Sequence, residues 1–173
     1  AHLDPIGFFC MLLFGFGWAS PVPIDARNFR HPKRGMALTA LAGPVANLLL
    51  AFVILIPYEI IMACDAHGAF MNSSEFTINL IYACLTFIFT FHYMNISLAV
   101  FNFFPVPPLD GSRVLYAILP EKYYFGVMKY ERYISLGIML LLVTGLLDKP
   151  LTFLTGAISG GMRWVLELLP FFR

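Results

Sequence analysis

The sequence predicts an all-α multi-pass membrane protein, with three to four transmembrane helices and a membrane-inserted Gly/Pro-rich hairpin near the N-terminus. Apolar residues make up 60% of its 173 residues, charged residues 12%, and the mean hydropathy is +0.79. A soluble domain carries about 25% charged residues. We therefore expect one membrane-embedded domain, residues 1–173, with the lipid bilayer as a partner. The same composition excludes a nucleic-acid-binding protein, a secreted disulfide scaffold and a soluble enzyme.

Residues 1–35 are predicted to form a re-entrant segment or hairpin followed by a basic cytoplasmic loop. The apolar part is interrupted by small and helix-breaking residues and is too short to cross a membrane. Irregular backbone survives at membrane depth only where protein covers it. The sequence therefore predicts a membrane-inserted hairpin over residues 14–23. The residues that interrupt a helix there are Gly15, Gly17, Pro21 and Pro23.

Residues 36–63 form the first predicted span and contain one charged residue, Glu59. About 20 helical residues, at about 1.5 Å each, cross a hydrocarbon core of about 30 Å. Residues 78–104, with no Asp, Glu, Lys or Arg, form the second span, and residues 131–147 the third. Residues 151–172 are long enough to span, but their charges and glycines fit an interfacial helix equally well.

The distribution of basic residues predicts the orientation. Eight of the eleven Lys and Arg residues flank the first two spans on one side, and the loop 64–77 between those spans has none. Because cytoplasmic loops are enriched in Lys and Arg, we place residues 27–34 and 112–130 in the cytoplasm of a cell-membrane protein. The eight residues are Arg27, Arg30, Lys33, Arg34, Arg113, Lys122, Lys129 and Arg132.

The segment 105–130 is predicted to be cytoplasmic, and its first residues carry the most informative chemistry. Its three prolines, within Pro-Val-Pro-Pro-Leu-Asp110-Gly, cannot continue a helix and so end the second span. A carboxylate at this boundary is costly, which makes Asp110 a candidate metal ligand or a proton or ion relay. It could equally be the N-cap of a short helix over residues 111–119.

His92 precedes Asp110 by eighteen residues, about 27 Å along a continuous helix. The two side chains therefore cannot share one metal site. We predict instead that His92 hydrogen-bonds a neighbouring helix.

The pattern Asn-x-x-Pro-x-x-x-x-Asp-Gly at residues 102–111 is similar to the second signature of the site-2 protease family of intramembrane zinc metalloproteases. The segment Leu-Ala-Gly-Pro-Val-Ala-Asn at 41–47 and several motifs in residues 2–38 resemble the small bacterial branch of that family in the same order. The resemblance covers roughly residues 1–147.

The resemblance implies a zinc-dependent protease that binds one zinc ion and cleaves peptide bonds of a transmembrane protein or peptide substrate. It assigns Asp110 as the metal ligand that this chain contributes. It also assigns residues to substrate or active-site positioning, namely Asn102, Pro105 and Gly111. A structural motif on the intervening helix comprises Gly43, Pro44 and Asn47.

One departure from the family is decisive for activity: the chain contains no H-E-x-x-H. In the family that motif supplies two zinc-binding histidines and the general-base glutamate. We therefore expect no catalytic residue in this chain and no peptide hydrolysis by it alone. We expect truncation before the H-E-x-x-H helix; a non-catalytic family member is the alternative, and an upstream in-frame H-E-x-x-H discriminates between them. A transporter or channel subunit using Asp110 as an ion site is a further hypothesis, although the sequence shows no internal repeat.

Overall fold

The computed structural model describes residues 29–107, 109–119, 130, 133–138 and 140–169. These residues form helices and turns and no strand. The chain divides into two compact units, residues 1–36 and 37–173. Of the first unit the structure describes residues 29–36, which include the first turn of a long helix. The hairpin predicted over residues 14–23 lies outside the described residues.

Two long helices cover the first two predicted spans. Helix α1, Pro32–Ala66, begins four residues before the predicted start and contains Pro44 and Pro57. Helix α2 is Glu75–Phe103, and Ser74 is its N-cap: the Ser74 hydroxyl accepts a hydrogen bond from the Thr77 amide at 3.3 Å. A serine cap satisfies one of the free amides of a helix start. Both helices are long and apolar enough to cross a membrane.

Three shorter helical segments follow. Helix α3 is Asp110–Ile118, α4 is Tyr133–Val143 with residue 139 undescribed, and α5 is Asp148–Glu167. Helices α4 and α5 meet at a bend of 81° and count as a third candidate span only if taken together. Gly145 adopts φ +70° in this bend, a conformation that glycine adopts without strain.

Helices α1, α2 and α5 share one core. Its buried members are Ala51 of α1 and Ile96 and Val100 of α2. Ala51 contributes a small, completely buried side chain to this cluster. Partly buried apolar side chains complete the cluster, namely Leu48, Phe104, Leu151, Ile158 and Met162.

Helix α5 runs antiparallel to α2. Ser97 of α2 lies 3.4 Å from Thr155 of α5 between hydroxyl oxygens, and His92, further back along α2, contacts Ser159, further forward along α5. Residue numbers therefore increase along one helix as they decrease along the other. The start of α5 lies beside the C-terminal half of α2.

An ion pair joins α5 to α1. Arg163 Nε donates to Glu59 Oε1 at 2.6 Å, and the guanidinium also lies 5.9 Å from the ring centre of Tyr58. Glu59, the one charged residue of the first predicted span, is thereby neutralised by a residue 104 positions later. The pairing lowers the cost of placing both charges in an apolar helix bundle.

Large apolar side chains cover the outside of these helices. Leu49 on α1 is 64% exposed, Phe87 on α2 71% and Phe153 on α5 74%. Continuous apolar surface of this kind is rare on soluble monomers and is the ordinary lipid-facing surface of a membrane helix. The outer surface therefore agrees with the membrane-protein class that composition predicts.

Candidate functional site

After α2 the backbone is no longer helical, but its amides remain hydrogen-bonded. Residues 104–109 contain three prolines, which have no N–H to satisfy. The remaining three amides donate to backbone carbonyls: Phe104 to Phe101 at 3.2 Å, Val106 to Phe104 at 2.8 Å, and Leu109 to Val106 at 3.0 Å. Irregular backbone is tolerated beside a membrane when its polar groups are bonded in this way.

Gly111 lets the start of α3 pack directly on the end of α2. A Cβ atom placed on Gly111 would collide with the Phe104 carbonyl oxygen and would lie 2.6 Å from that of Phe103. Ser112, also buried, strengthens the turn because its hydroxyl donates to the Leu109 carbonyl at 2.7 Å. The Asp-Gly pair therefore places a carboxylate at a defined point beside the last turn of α2.

Asp110 is the first residue of α3, and Leu109 occupies the N-cap position with no side-chain capping bond. The N-cap interpretation of Asp110 is therefore wrong. Its half-buried carboxylate points toward α1, since Oδ2 lies 3.9 Å from where a Cβ atom on Gly43 would stand. The partial positive charge of the helix start favours a carboxylate here.

The two sequence motifs thus meet at Asp110 and Gly43. Pro44, the neighbour of Gly43, is fully buried, and Asn47, one turn further along α1, is half-buried. Asn102 is half-buried in the last turn of α2, and Pro105 is exposed in the irregular segment that follows. The sequence identified these residues through the motifs, but their separation along the chain gave no indication that Gly43 faces Asp110.

His92 is fully buried between three helices. Its Nδ1 lies 2.9 Å from the Ala51 carbonyl oxygen on α1, and its Nε2 lies 2.9 Å from the Ser159 hydroxyl on α5. The prediction that His92 bonds a neighbouring helix is confirmed. Sequence reasoning missed both partners because they lie 41 and 67 residues away and carry no local signal.

The described residues offer one part of a metal site. Among them, no group of three or more His, Cys, Asp or Glu side chains is placed to hold a metal ion. Asp110 alone supplies a hard oxygen donor of the kind zinc accepts. The donor set fits one ligand of a zinc site and does not form a complete one.

The described helices and Asp110 together define an α-helical membrane protein. Its candidate site is a carboxylate that follows the end of a long apolar helix. The chain belongs to peptidase family M50, whose family model matches residues 22–145. This match confirms the resemblance to the site-2 proteases.

Named relatives agree with the family. The chain is 35% identical over 145 residues to YwhC of Bacillus subtilis, a candidate zinc metalloprotease, covering 84% of this chain and 63% of that protein. It is 33% identical over 111 residues to MJ0611 of Methanocaldococcus jannaschii, also a candidate zinc metalloprotease, covering 64% of this chain and 49% of the relative. Zinc metalloprotease MJ0392 of the same organism is 31% identical over 103 residues, 60% of this chain and 25% of the relative. The chain thus spans less than two thirds of the length of these relatives. No solved structure gives a significant match.

Proposed function

We propose that this chain is part of a zinc-dependent intramembrane protease and that Asp110 supplies one zinc ligand. The observation that carries the proposal is the meeting of the two motifs: the Asp110 carboxylate lies 3.9 Å from the Cβ position of Gly43. A residue with a long side chain at position 43 would cover the carboxylate. Glycine leaves it open for a ligand.

The remaining zinc ligands would come from outside the 173 residues. A catalytic zinc site needs about three protein ligands and an open position. This chain has no H-E-x-x-H, and its described residues include no group of three or more His, Cys, Asp or Glu side chains that could hold a metal ion. We therefore assign the two histidines and the general-base glutamate to an H-E-x-x-H helix that packs beside Asp110. Bound zinc supplies Lewis-acid activation of water for attack on a peptide bond.

The residues of this chain would then orient the site. Gly111 fixes the start of α3 against α2, and Asp110 presents its carboxylate at that point. Asn102 and Pro105, in the last turn of α2 and the segment after it, are assigned to positioning the substrate. The chain on its own is expected to be inactive.

A transmembrane protein or peptide is the proposed substrate. The 29-residue helix that leads to Asp110 is long and apolar enough to cross a membrane, so the site lies where a candidate membrane helix ends. A water-soluble peptide would have to enter that apolar surrounding, whereas a membrane-spanning segment is already there. In the proposed arrangement the protein is multi-pass in the cell membrane, with residues 27–34 and 112–130 in the cytoplasm.

The test is proteolysis of a transmembrane substrate by the purified gene product that contains these residues. Asp110→Asn is expected to lower the rate by about 100-fold or more, because an amide oxygen is a poorer zinc ligand than a carboxylate. Asp148→Asn is the matched control, since Asp148 is an exposed aspartate that also begins a helix. Equal rates for wild type and Asp110→Asn would refute the proposal. The absence of activity in every variant would favour the non-catalytic alternative.

A further inference from the structure

We propose that His92 is a positioning residue: its Nδ1 hydrogen bond to Ala51 sets the register of α2 against α1 and so holds Gly43 beside Asp110. The inference deepens the proposed function, on which it rests for the role of Asp110. Neither the family match nor the sequence motifs assign a role to His92.

The hydrogen bonds of His92 fix its tautomer. The carbonyl oxygen of Ala51 can only accept, so the Nδ1 atom 2.9 Å away carries the proton. In the neutral ring, Nε2 then accepts from the Ser159 hydroxyl at 2.9 Å. One fully buried ring thus satisfies both of its polar atoms and joins three helices.

The other contacts between α1 and α2 near this point are apolar. Ala51 packs against Ile96 and Val100 of α2, and contacts of this kind are non-directional. A hydrogen bond, in contrast, weakens steeply when its donor moves out of line. A slide of one helix past the other by one residue, about 1.5 Å, would keep much of the apolar contact and break the Nδ1 bond.

The register reaches the site along two helical segments. Gly43 precedes Ala51 on α1 by eight residues, about 12 Å along the helix. On α2, Phe103 follows His92 by eleven residues, and its carbonyl lies against Gly111, which fixes the neighbouring Asp110. A slide at His92 would therefore move Gly43 away from the carboxylate.

A cysteine pair reports this geometry directly. Gly43→Cys and Asp110→Cys, in a chain whose native cysteines are replaced by alanine, place two thiols near each other. Asp110 Oδ2, two bonds beyond its Cβ, lies 3.9 Å from the Cβ position of Gly43. The two Cβ atoms are therefore at most about 6 Å apart, and a small shift of either helix brings them to the separation that a disulfide needs. The measurement is the rate of disulfide formation in membranes under a mild oxidant. It involves neither zinc nor proteolysis, so its result is independent of whether Asp110 binds a metal.

Two substitutions separate the two ring nitrogens. His92→Asn keeps an N–H donor near the Nδ1 position, and His92→Gln keeps one near the Nε2 position. The proposal predicts that Asn cross-links like the parent, while Gln cross-links about fivefold more slowly, the factor expected for one lost hydrogen bond. If His92 only filled space, Gln would be the milder substitution, because its volume is closer than that of Asn to the volume of His.

Two control variants complete the experiment. Ser159→Ala removes the bond to α5 and leaves the Nδ1 bond. His67→Gln alters an exposed histidine, just after α1, that bonds the Ala63 carbonyl in the last turn of that helix. Both are expected to cross-link at the parent rate. Parent-like cross-linking by His92→Gln would overturn the proposal, as would slow cross-linking by His92→Asn. If His92→Gln does not accumulate, His92→Leu, which keeps the volume and removes both ring nitrogens, takes its place and is expected to cross-link about fivefold more slowly. Parent-like cross-linking by that variant would overturn the proposal.

Discussion

At the scale of single residues, the site depends on a glycine that admits no side chain. The start of α3 packs so closely on the end of α2 that a Cβ atom at position 111 would overlap the Phe103 and Phe104 carbonyl oxygens. These are backbone atoms, which cannot rotate away as a side chain could. The position of Asp110 therefore depends directly on its neighbour being glycine.

We predict that Gly111→Ala lowers the free energy of unfolding by about 1–3 kcal/mol, the usual cost of overpacking. The control is Gly156→Ala, because no atom lies within 4 Å of a Cβ at that helical position. That control should be neutral or stabilising by up to about 1 kcal/mol, the helix-propensity difference. Thermal unfolding of the purified variants in detergent gives both values. Equal unfolding temperatures for the two variants would contradict the packing argument.

The sequence indicated which single residues carry chemistry, but it did not indicate which residues they contact in the fold. Asp110 stood out because a carboxylate at a membrane boundary is costly, and His92 was predicted to bond another helix, which the structure confirms. The sequence could not predict that Gly43 faces Asp110, since this depends on how α1 and α2 pack. The N-cap interpretation of Asp110 failed by one residue, because helix starts are set by backbone geometry that composition does not fix.

At the scale of helices, the prolines after Phe104 predicted where α2 ends, and the structure ends it at Phe103. A local signal was sufficient there because proline acts on its own backbone. The packing of α5 had no such signal. Its polar contacts with the bundle, through Thr155, Ser159 and Arg163, depend on partners in α1 and α2 far along the chain.

We predict that the Glu59–Arg163 pair stabilises the α1–α5 contact by on the order of 1 kcal/mol. The value is modest because the Arg163 side chain is 43% exposed, although Glu59 is only 17% exposed. A double-mutant cycle with Glu59→Gln and Arg163→Gln, followed by thermal unfolding, measures the coupling. Additive effects of the two substitutions would show that the pair contributes nothing.

At the scale of the whole molecule, the described residues are all-helical and include two to three candidate membrane spans. Composition predicted that class because 12% charged residues cannot cover a soluble domain. The sequence left residues 151–172 open between a span and an interfacial helix. The antiparallel packing of α5 on α2 now favours a helix that runs across the membrane, which stays a prediction.

We predict that residues 168–169, after α5, lie on the same side of the membrane as the loop 64–77, away from the cytoplasm. The loop is assigned by its lack of Lys and Arg, and α5 returns to that side because it is antiparallel to α2. Labelling of single cysteines in intact cells tests this, with Asn72→Cys and Leu169→Cys expected to react from outside. Ile118→Cys, exposed at the end of α3, is the cytoplasmic control. Reaction of Leu169→Cys from the cytoplasmic side alone would contradict the crossing.

The central claim is that Asp110 binds zinc, and the zinc content of the purified gene product tests it most directly. We expect about one zinc per molecule in the wild type and a clear loss in Asp110→Asn, with Asp148→Asn unchanged. The 173-residue chain by itself should hold no stoichiometric zinc, because one carboxylate cannot form a tetrahedral site. Asparagine has nearly the same size and shape as aspartate, so a role of Asp110 in packing alone would leave the zinc content unchanged. Equal zinc in the wild type and in Asp110→Asn would contradict the assignment.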